Sequence, residues 1–198
     1  MSKNLKSIAN FLFETGMMAK TPRSGFHFLG SGRQSVAEHN NRVVFIGYVL
    51  SALEKNCDSA KTMKLCLFHD LAEARTSDLN YVHQKYARTD EDKATEDLAS
   101  TLEFGGEIRD LIREYKEKKT TESILAHDAD QLEFLLSLKE QIDTGNKRAE
   151  TWIGAVVKRL KTASAVKLAE EALKTNSDEW WFGDKNDQWW VDRNKQKA

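Results

Sequence analysis

The sequence predicts an all-α fold. Three observations carry that reading: a single proline in 198 residues, apolar residues that recur at spacings of three and four, and few alternating Val/Ile/Thr segments. At this length the chain holds one domain with an appendage, read as residues 1–175 plus a Trp-rich tail over 176–198.

The elements follow in order. Leu5, Ile8, Phe11 and Leu12 give an amphipathic helix over about residues 3–18. Thr21 to Arg33 reads as a long loop by its Pro and Gly content, and its Arg23, Phe26, His27 and Arg33 fit either a set that holds an anion and stacks on a ring or a surface crossover with snorkelling arginines. Ser35-Val36-Ala37-Glu38 fits a capping box, so a helix starts sharply there. Along it His39, Val43, Ile46, Leu50 and Leu53 share a stripe, which puts His39 on the core side. Asp58 or Ser59 caps the next helix, expected to run to about Ala74 as a central element.

Short helix or loop is expected over Tyr81–Tyr86. A charged helix is expected over Glu91–Phe104, closed by Gly105-Gly106, and another over Glu107–Lys118. Thr120 or Thr121 caps a helix from about Glu122 to Thr144. A last long helix, about Arg148 to Lys174, shows Trp152, Ile153, Val156, Val157, Leu160 and Leu168 on a wide apolar face. The tail holds four of the five tryptophans without clean periodicity, and reads as a segment packed by aromatic burial on the domain or on a partner subunit.

A net charge of -1 gives no electrostatic footprint for nucleic acid or an anionic membrane. No apolar stretch reaches spanning length, and the N-terminus lacks the apolar core of a signal peptide. Cys57 and Cys66 form no spacing pattern, so neither a disulfide framework nor a zinc finger is expected, and the compartment reads as cytoplasmic.

The chemistry concentrates in Leu65-Cys66-Leu67-Phe68-His69-Asp70-Leu71-Ala72-Glu73-Ala74. An apolar run here carries an imidazole beside a carboxylate, with a second carboxylate one turn later. Burying an unpartnered carboxylate costs several kcal/mol, by order of magnitude, or forces it to take a proton. A divalent metal is the obvious partner, and mixed nitrogen and oxygen donors suit first-row transition metals. One doublet does not close a coordination sphere. Further donors are available in His39 and in the Ala126-His127-Asp128-Ala129-Asp130 stretch. Periodicity alone does not say whether Asp128 or Asp130 faces inward.

A lone His, a His-Asp pair and a distal Asp, all on helices with apolar flanks, resemble the HD-domain metal-dependent phosphohydrolases. Within them the chain is most similar to the 5′-deoxynucleotidase group. The Pro22-Arg23-Ser24-Gly25-Phe26 loop before the first His, Glu73 after the His-Asp pair, and Asp78 five residues later carry that likeness. The resemblance implies an all-α HD-domain helical bundle with a central metal site. It implies His39, His69, Asp70 and Asp130 as ligands of one divalent transition metal (Mn, Co, Fe, Ni or Zn), the x-Leu step after the aspartate selecting Asp130. It implies Glu73 and Asp78 as catalytic residues and Arg23 and Phe26 as substrate contacts, with Phe26 standing where relatives commonly carry tryptophan.

The implied activity is hydrolysis of nucleoside 5′-monophosphates, with deoxyribonucleotides preferred, by a homodimer. Two alternatives accompany it: an HD phosphohydrolase acting on another phosphate ester, and a non-catalytic helical protein that binds metal or a partner. A structural site needs neither Glu73 nor Asp78, which weighs against the last.

Overall fold

The structure is a computed structural model that describes residues 2–192, with side chains from Asn4 onward. Helix α1 (Ser2–Thr15) passes into a 3₁₀ turn (Gly16–Ala19), and a crossover containing the one-turn α2 (Phe26–Leu29) leads to α3 (Val36–Leu53). Then come α4 (Ser59–Phe68), the one-turn α5 (Glu73–Thr76) and α6 (His83–Tyr86), α7 (Glu91–Ala99), α8 (Gly105–Glu117), α9 (Thr121–Asp143), α10 (Lys147–Val157) and α11 (Ala163–Lys174). The one-turn α12 (Glu179–Phe182) and α13 (Gln188–Val191) follow. The described residues contain no strand beyond an isolated bridge between Pro22 and Ser35. No helix among them is long and apolar enough to cross a membrane.

Helix α9 is the axis of the bundle: α3, α4, α8, α10 and α11 all pack on it. Its Leu125, Leu132, Leu135 and Leu138 are fully buried and meet Val43, Ile46 and Leu50 of α3 and Leu65 of α4. Each such leucine stabilises the fold by about 1.5–3 kcal/mol relative to exposure. Gly47 sets the spacing of α3 and α4, because a Cβ there would lie 2.5 Å from Cys66 Sγ. That close approach brings the helices carrying His39 and His69 together. A second cluster, built on Met18, Val36, Leu71, Leu98, Leu102, Ile108 and Ile112, takes Ile8 and Phe11 from α1. Phe68, just before the His-Asp pair, packs against both clusters.

Several helix starts follow the expected chemistry. Ser35 accepts from Glu38 N while the Glu38 carboxylate accepts from Ser35 N, a complete capping box. Asp58 caps α4 and Thr120 caps α9. Cys66 is a buried core thiol, pushed up to about 12 by burial, so it is inert at neutral pH.

Four expectations are corrected. The helix expected to reach Ala74 stops at Phe68, where i→i+3 bonds take over: Leu71 N to Phe68 O, Glu73 N to Asp70 O and Ala74 N to Leu71 O. This tighter winding aligns Asp70 and Glu73, three residues apart, on one side. Gly105 opens α8 instead of closing α7, which ends at Ala99; a Cβ on Gly105 would lie 1.9 Å from Ala99 O. The last long helix is two helices, α10 and α11, broken because Asp128 draws Lys161 N and Thr162 N to its carboxylate. Two apolar residues expected to pack on α1, Leu5 and Leu12, are exposed, as is Leu53 at the end of the α3 stripe.

In the tail, Trp181 stacks on Phe182 and Trp190 meets both edge-on, and Trp180, Trp181, Trp189 and Trp190 are all exposed on the single chain. Residues 193–198 of the tail lie outside the described residues.

Candidate metal centre

His39 stands one turn into α3 and is fully buried. His69 caps the C-terminal end of α4, Asp70 begins the tight turns after it, and Asp130 sits midway along α9. His39, His69 and Asp70 offer ligand atoms that all lie within 4.8 Å of one another. Asp130 joins through His39: its Oδ1 is 3.2 Å from His39 Nε2. Asp70 Oδ2 is 3.6 Å from His39 Nε2 and 3.3 Å from His69 Nε2.

The ring nitrogens define what the cluster accommodates. His69 Nδ1 is 2.8 Å from the carbonyl of Cys66, and a carbonyl only accepts, so Nδ1 carries the proton. His39 Nδ1 is 2.6 Å from Glu133 Oε2. Burial opposes ionisation of Glu133, but its bond to His39 and the charges of His39 and Arg42 hold it at about 2, so it too only accepts. In the neutral rings both Nε2 atoms are therefore lone pairs, buried and without a hydrogen-bond partner. They face carboxylate oxygens, which are also electron-rich. Two imidazole lone pairs converging with two carboxylates form a donor set that a divalent first-row metal satisfies.

The electrostatics match. Burial and Arg23 work against a charge on His39, yet Asp130 and Glu133 outweigh them and raise it to about 9. A cation at Nε2 competes with that proton. Burial opposes the ionised forms of Asp70 and Asp130, but their histidine neighbours hold both below the usual carboxylate range. Burial, then Asp70 and Asp78, pushes Glu73 up to about 9, and its Oε2 is buried without a partner. A nearby divalent cation reverses that logic and favours the carboxylate.

A family model described as an HD domain matches residues 15–172. The chain belongs to the HD-domain family. The 5′-deoxynucleotidase HDDC2 of Dictyostelium discoideum is 34% identical over 119 residues, 54% of this chain and 62% of that protein. The protein of the same name from Bos taurus is 24% identical over 177 residues, 85% of each chain. Among solved structures, a conserved hypothetical protein from Pyrococcus furiosus superposes with a TM-score of 0.71 at 26% identity, covering 84% of this chain and 99% of its own. A predicted metal-dependent phosphohydrolase from Magnetospirillum magnetotacticum gives 0.69 at 19% identity, covering 87% and 92%, a likeness of fold alone.

Arg23 and Asp78 stand beside the His-Asp pair. Arg23 reaches Asp70 Oδ2 at 3.2 Å and Asp78 Oδ1 at 3.5 Å. Burial disfavours its charge, but Asp70, Asp78, Asp130 and Glu73 hold it firmly protonated. Asp78 also accepts from Ser24 N at 2.6 Å and Ser24 Oγ at 3.1 Å, which pins the Arg23 loop to the turn after α5. Phe26 opens α2, its N–H bonded to Arg23 O, and its ring packs on the main core. Asp128 is elsewhere: fully buried, it accepts from Lys161 N, Thr162 N and Thr162 Oγ at the entry to α11.

Sequence reasoning assigned no role to Glu133, Arg42, Gln34, Ser137 or Tyr115. Tyr115 Oη donates to Asp130 Oδ2 at 3.1 Å, and its ring centroid is 5.0 Å from that of His69. Glu133 carried a usable signal, an acid within the apolar Leu132–Leu135 stretch one turn after Asp130. Tyr115 carried none, since an aromatic on an amphipathic helix reads as core.

Proposed function

We propose that this chain hydrolyses the phosphomonoester of nucleoside 5′-monophosphates, deoxyribonucleotides in preference, with one divalent transition metal held by His39, His69, Asp70 and Asp130. Two buried Nε2 lone pairs facing two carboxylates carry this reading. When bound, a divalent cation lowers the pKa of a water and neutralises charge on phosphoryl oxygens.

The protein's own groups supply the rest. Glu73, with its buried free oxygen, takes the proton from the attacking water, and that proton is balanced by the one the leaving 5′-oxygen gains. Arg23, already desolvated and charged, exchanges a carboxylate contact for the phosphate and stabilises the charge that develops there. Asp78 holds the Arg23 loop through Ser24, and its place beside Arg23 supports a contact with the sugar or with the attacking water. Phe26 lies on the same crossover with its ring packed on the main core, and the family resemblance is what assigns it to the sugar. The names of the Dictyostelium and bovine relatives support the substrate class.

Manganese and cobalt are the ions to test first, within the set Mn, Co, Fe, Ni and Zn. The same reading places the enzyme in cytoplasmic nucleotide metabolism as a homodimer. The exposed stripe of Phe45, Tyr48, Val49 and Leu53 on α3 and the aromatic tail support self-association.

The test is phosphate release from a panel of ribo- and deoxyribonucleoside 5′-monophosphates with added Mn or Co and an EDTA control. Metal-dependent release that favours deoxy substrates is expected. Equal release from both sugars would place the departure at Phe26. No release from metal-loaded protein would refute the nucleotidase reading.

A further inference from the structure

We propose that Glu133 is a positioning residue of the metal centre, clamping the His39 ring through Nδ1 so that Nε2 is presented as a lone pair to the ion. The inference rests on the metal reading above and adds a residue that reading does not use.

The two nitrogens of His39 face different partners. Nε2 looks toward Asp130 and Asp70, at 3.2 and 3.6 Å. Nδ1 is 2.6 Å from Glu133 Oε2, and both side chains are 0% exposed. Glu133 is itself immobilised through its other oxygen. Oε1 accepts from Gln34 Nε2 at 2.7 Å, Arg42 Nε at 3.0 Å, Arg42 Nη2 at 2.8 Å and Ser137 Oγ at 3.0 Å. Arg42 is in turn anchored by Glu140. A guanidinium has no acceptor and stays charged, so the carboxylate opposite it stays an acceptor as well. The Nδ1 proton therefore belongs on His39, and the other nitrogen is left to bind.

The two imidazoles are held by different chemistry. His69 uses the Cys66 carbonyl, which no side-chain substitution removes. His39 uses a carboxylate, which both orients the ring and makes it a stronger donor. The clamp also reaches the substrate side: Gln34 binds Glu133 through its side chain and accepts from Arg23 N at 2.8 Å through its carbonyl. One residue thus ties the ring of a metal ligand to the loop carrying Arg23.

The test uses the full chain as wild type, Glu133→Ala, Glu133→Gln and Arg42→Ala. Two quantities are read: Kd for Mn²⁺ by titration, and the ¹⁵N–¹H signal of His39 Nδ1 in zinc-loaded protein. Wild type is expected to show a slowly exchanging Nδ1 proton. Glu133→Ala should bind Mn²⁺ about 10–100-fold more weakly and lose that signal. Glu133→Gln keeps an amide oxygen for Nδ1–H and should fall between the two. Arg42→Ala should weaken binding less than Glu133→Ala.

A merely structural Glu133 would lower Tm while leaving Kd and the Nδ1 signal at wild-type values, and that result overturns the proposal. If Glu133→Ala does not fold, the near-isosteric Glu133→Gln decides on Kd alone. A wild-type protein that takes up no divalent cation would instead overturn the metal reading, before any variant is compared.

Discussion

Replacing Asp128 with alanine separates two aspartates that lie two residues apart on α9. The Asp128 carboxylate is 0% exposed and accepts three hydrogen bonds, from Lys161 N at 2.9 Å, Thr162 N at 2.8 Å and Thr162 Oγ at 2.7 Å. Hydrogen bonds to a charged group contribute about 1.5–3 kcal/mol each, and the sum is reduced where water enters the gap. Both peptide N–H groups belong to the break before α11, where no helical carbonyl replaces the lost acceptor. The expected cost is about 3–4 kcal/mol. For a chain of this size that lowers Tm by about 6–16 °C. The assay is thermal unfolding followed by circular dichroism in EDTA, with Mn²⁺ affinity measured on the folded variant. Affinity should match wild type, because Asp128 faces α11 and not the histidines. A Tm within about 2 °C of wild type, or a folded variant that no longer binds metal, would refute the assignment of Asp128 to the helix break.

Three further outcomes are expected. Mn²⁺ at about 100 times its Kd should stabilise wild type by about 2.7 kcal/mol, visible as a Tm rise of about 5–11 °C, and Asp130→Ala should abolish that rise; a full rise in the variant would remove Asp130 from the ligand set. Gly105→Ala places a Cβ 1.9 Å from the backbone carbonyl of Ala99, which has no side-chain freedom to yield, so α7 and α8 should separate at a cost of about 3 kcal/mol in a denaturant titration. Ser77 has φ +63 just before Asp78, a conformation that disfavours side chains, so Ser77→Gly should raise stability by about 1 kcal/mol; a lowered denaturation midpoint would show that the serine side chain outweighs the strain.

The parts of the fold legible in sequence were those governed by local chemistry. Ser35, Asp58 and Thr120 cap the helices their spacing predicts, because a cap is decided within four residues. The core stripe of α3 from His39 to Leu50 follows the helical period because α9 covers it along its length. What the sequence did not show was decided by how the elements pack on one another. Gly105 resembles a helix stop, yet it opens α8 because α8 crosses close to Ala99. The apolar face from Trp152 to Leu168 reads as continuous, but Thr162 caps α11 and the carboxylate of Asp128, 33 residues before Lys161, holds the break.

At the site, the HD-family motif brought out the four residues that gather around the two Nε2 atoms. Periodicity could not rank Asp128 against Asp130, since both interrupt the same apolar stretch of one helix; their partners separate them. Glu133 and Tyr115 each act through another residue: the acid of Glu133 within an apolar stretch was the one local sign, and the Tyr115 contact between α8 and α9 leaves none.

The central claim is that one divalent ion sits among His39, His69, Asp70 and Asp130 while Glu73 works on the water beside it. Metal content per chain, measured beside phosphate release for Glu73→Ala, tests both halves at once. The account predicts one equivalent of metal, as in wild type, with turnover abolished. Full turnover would contradict the role of Glu73, and loss of the metal with an intact fold would make Glu73 a ligand instead of the base.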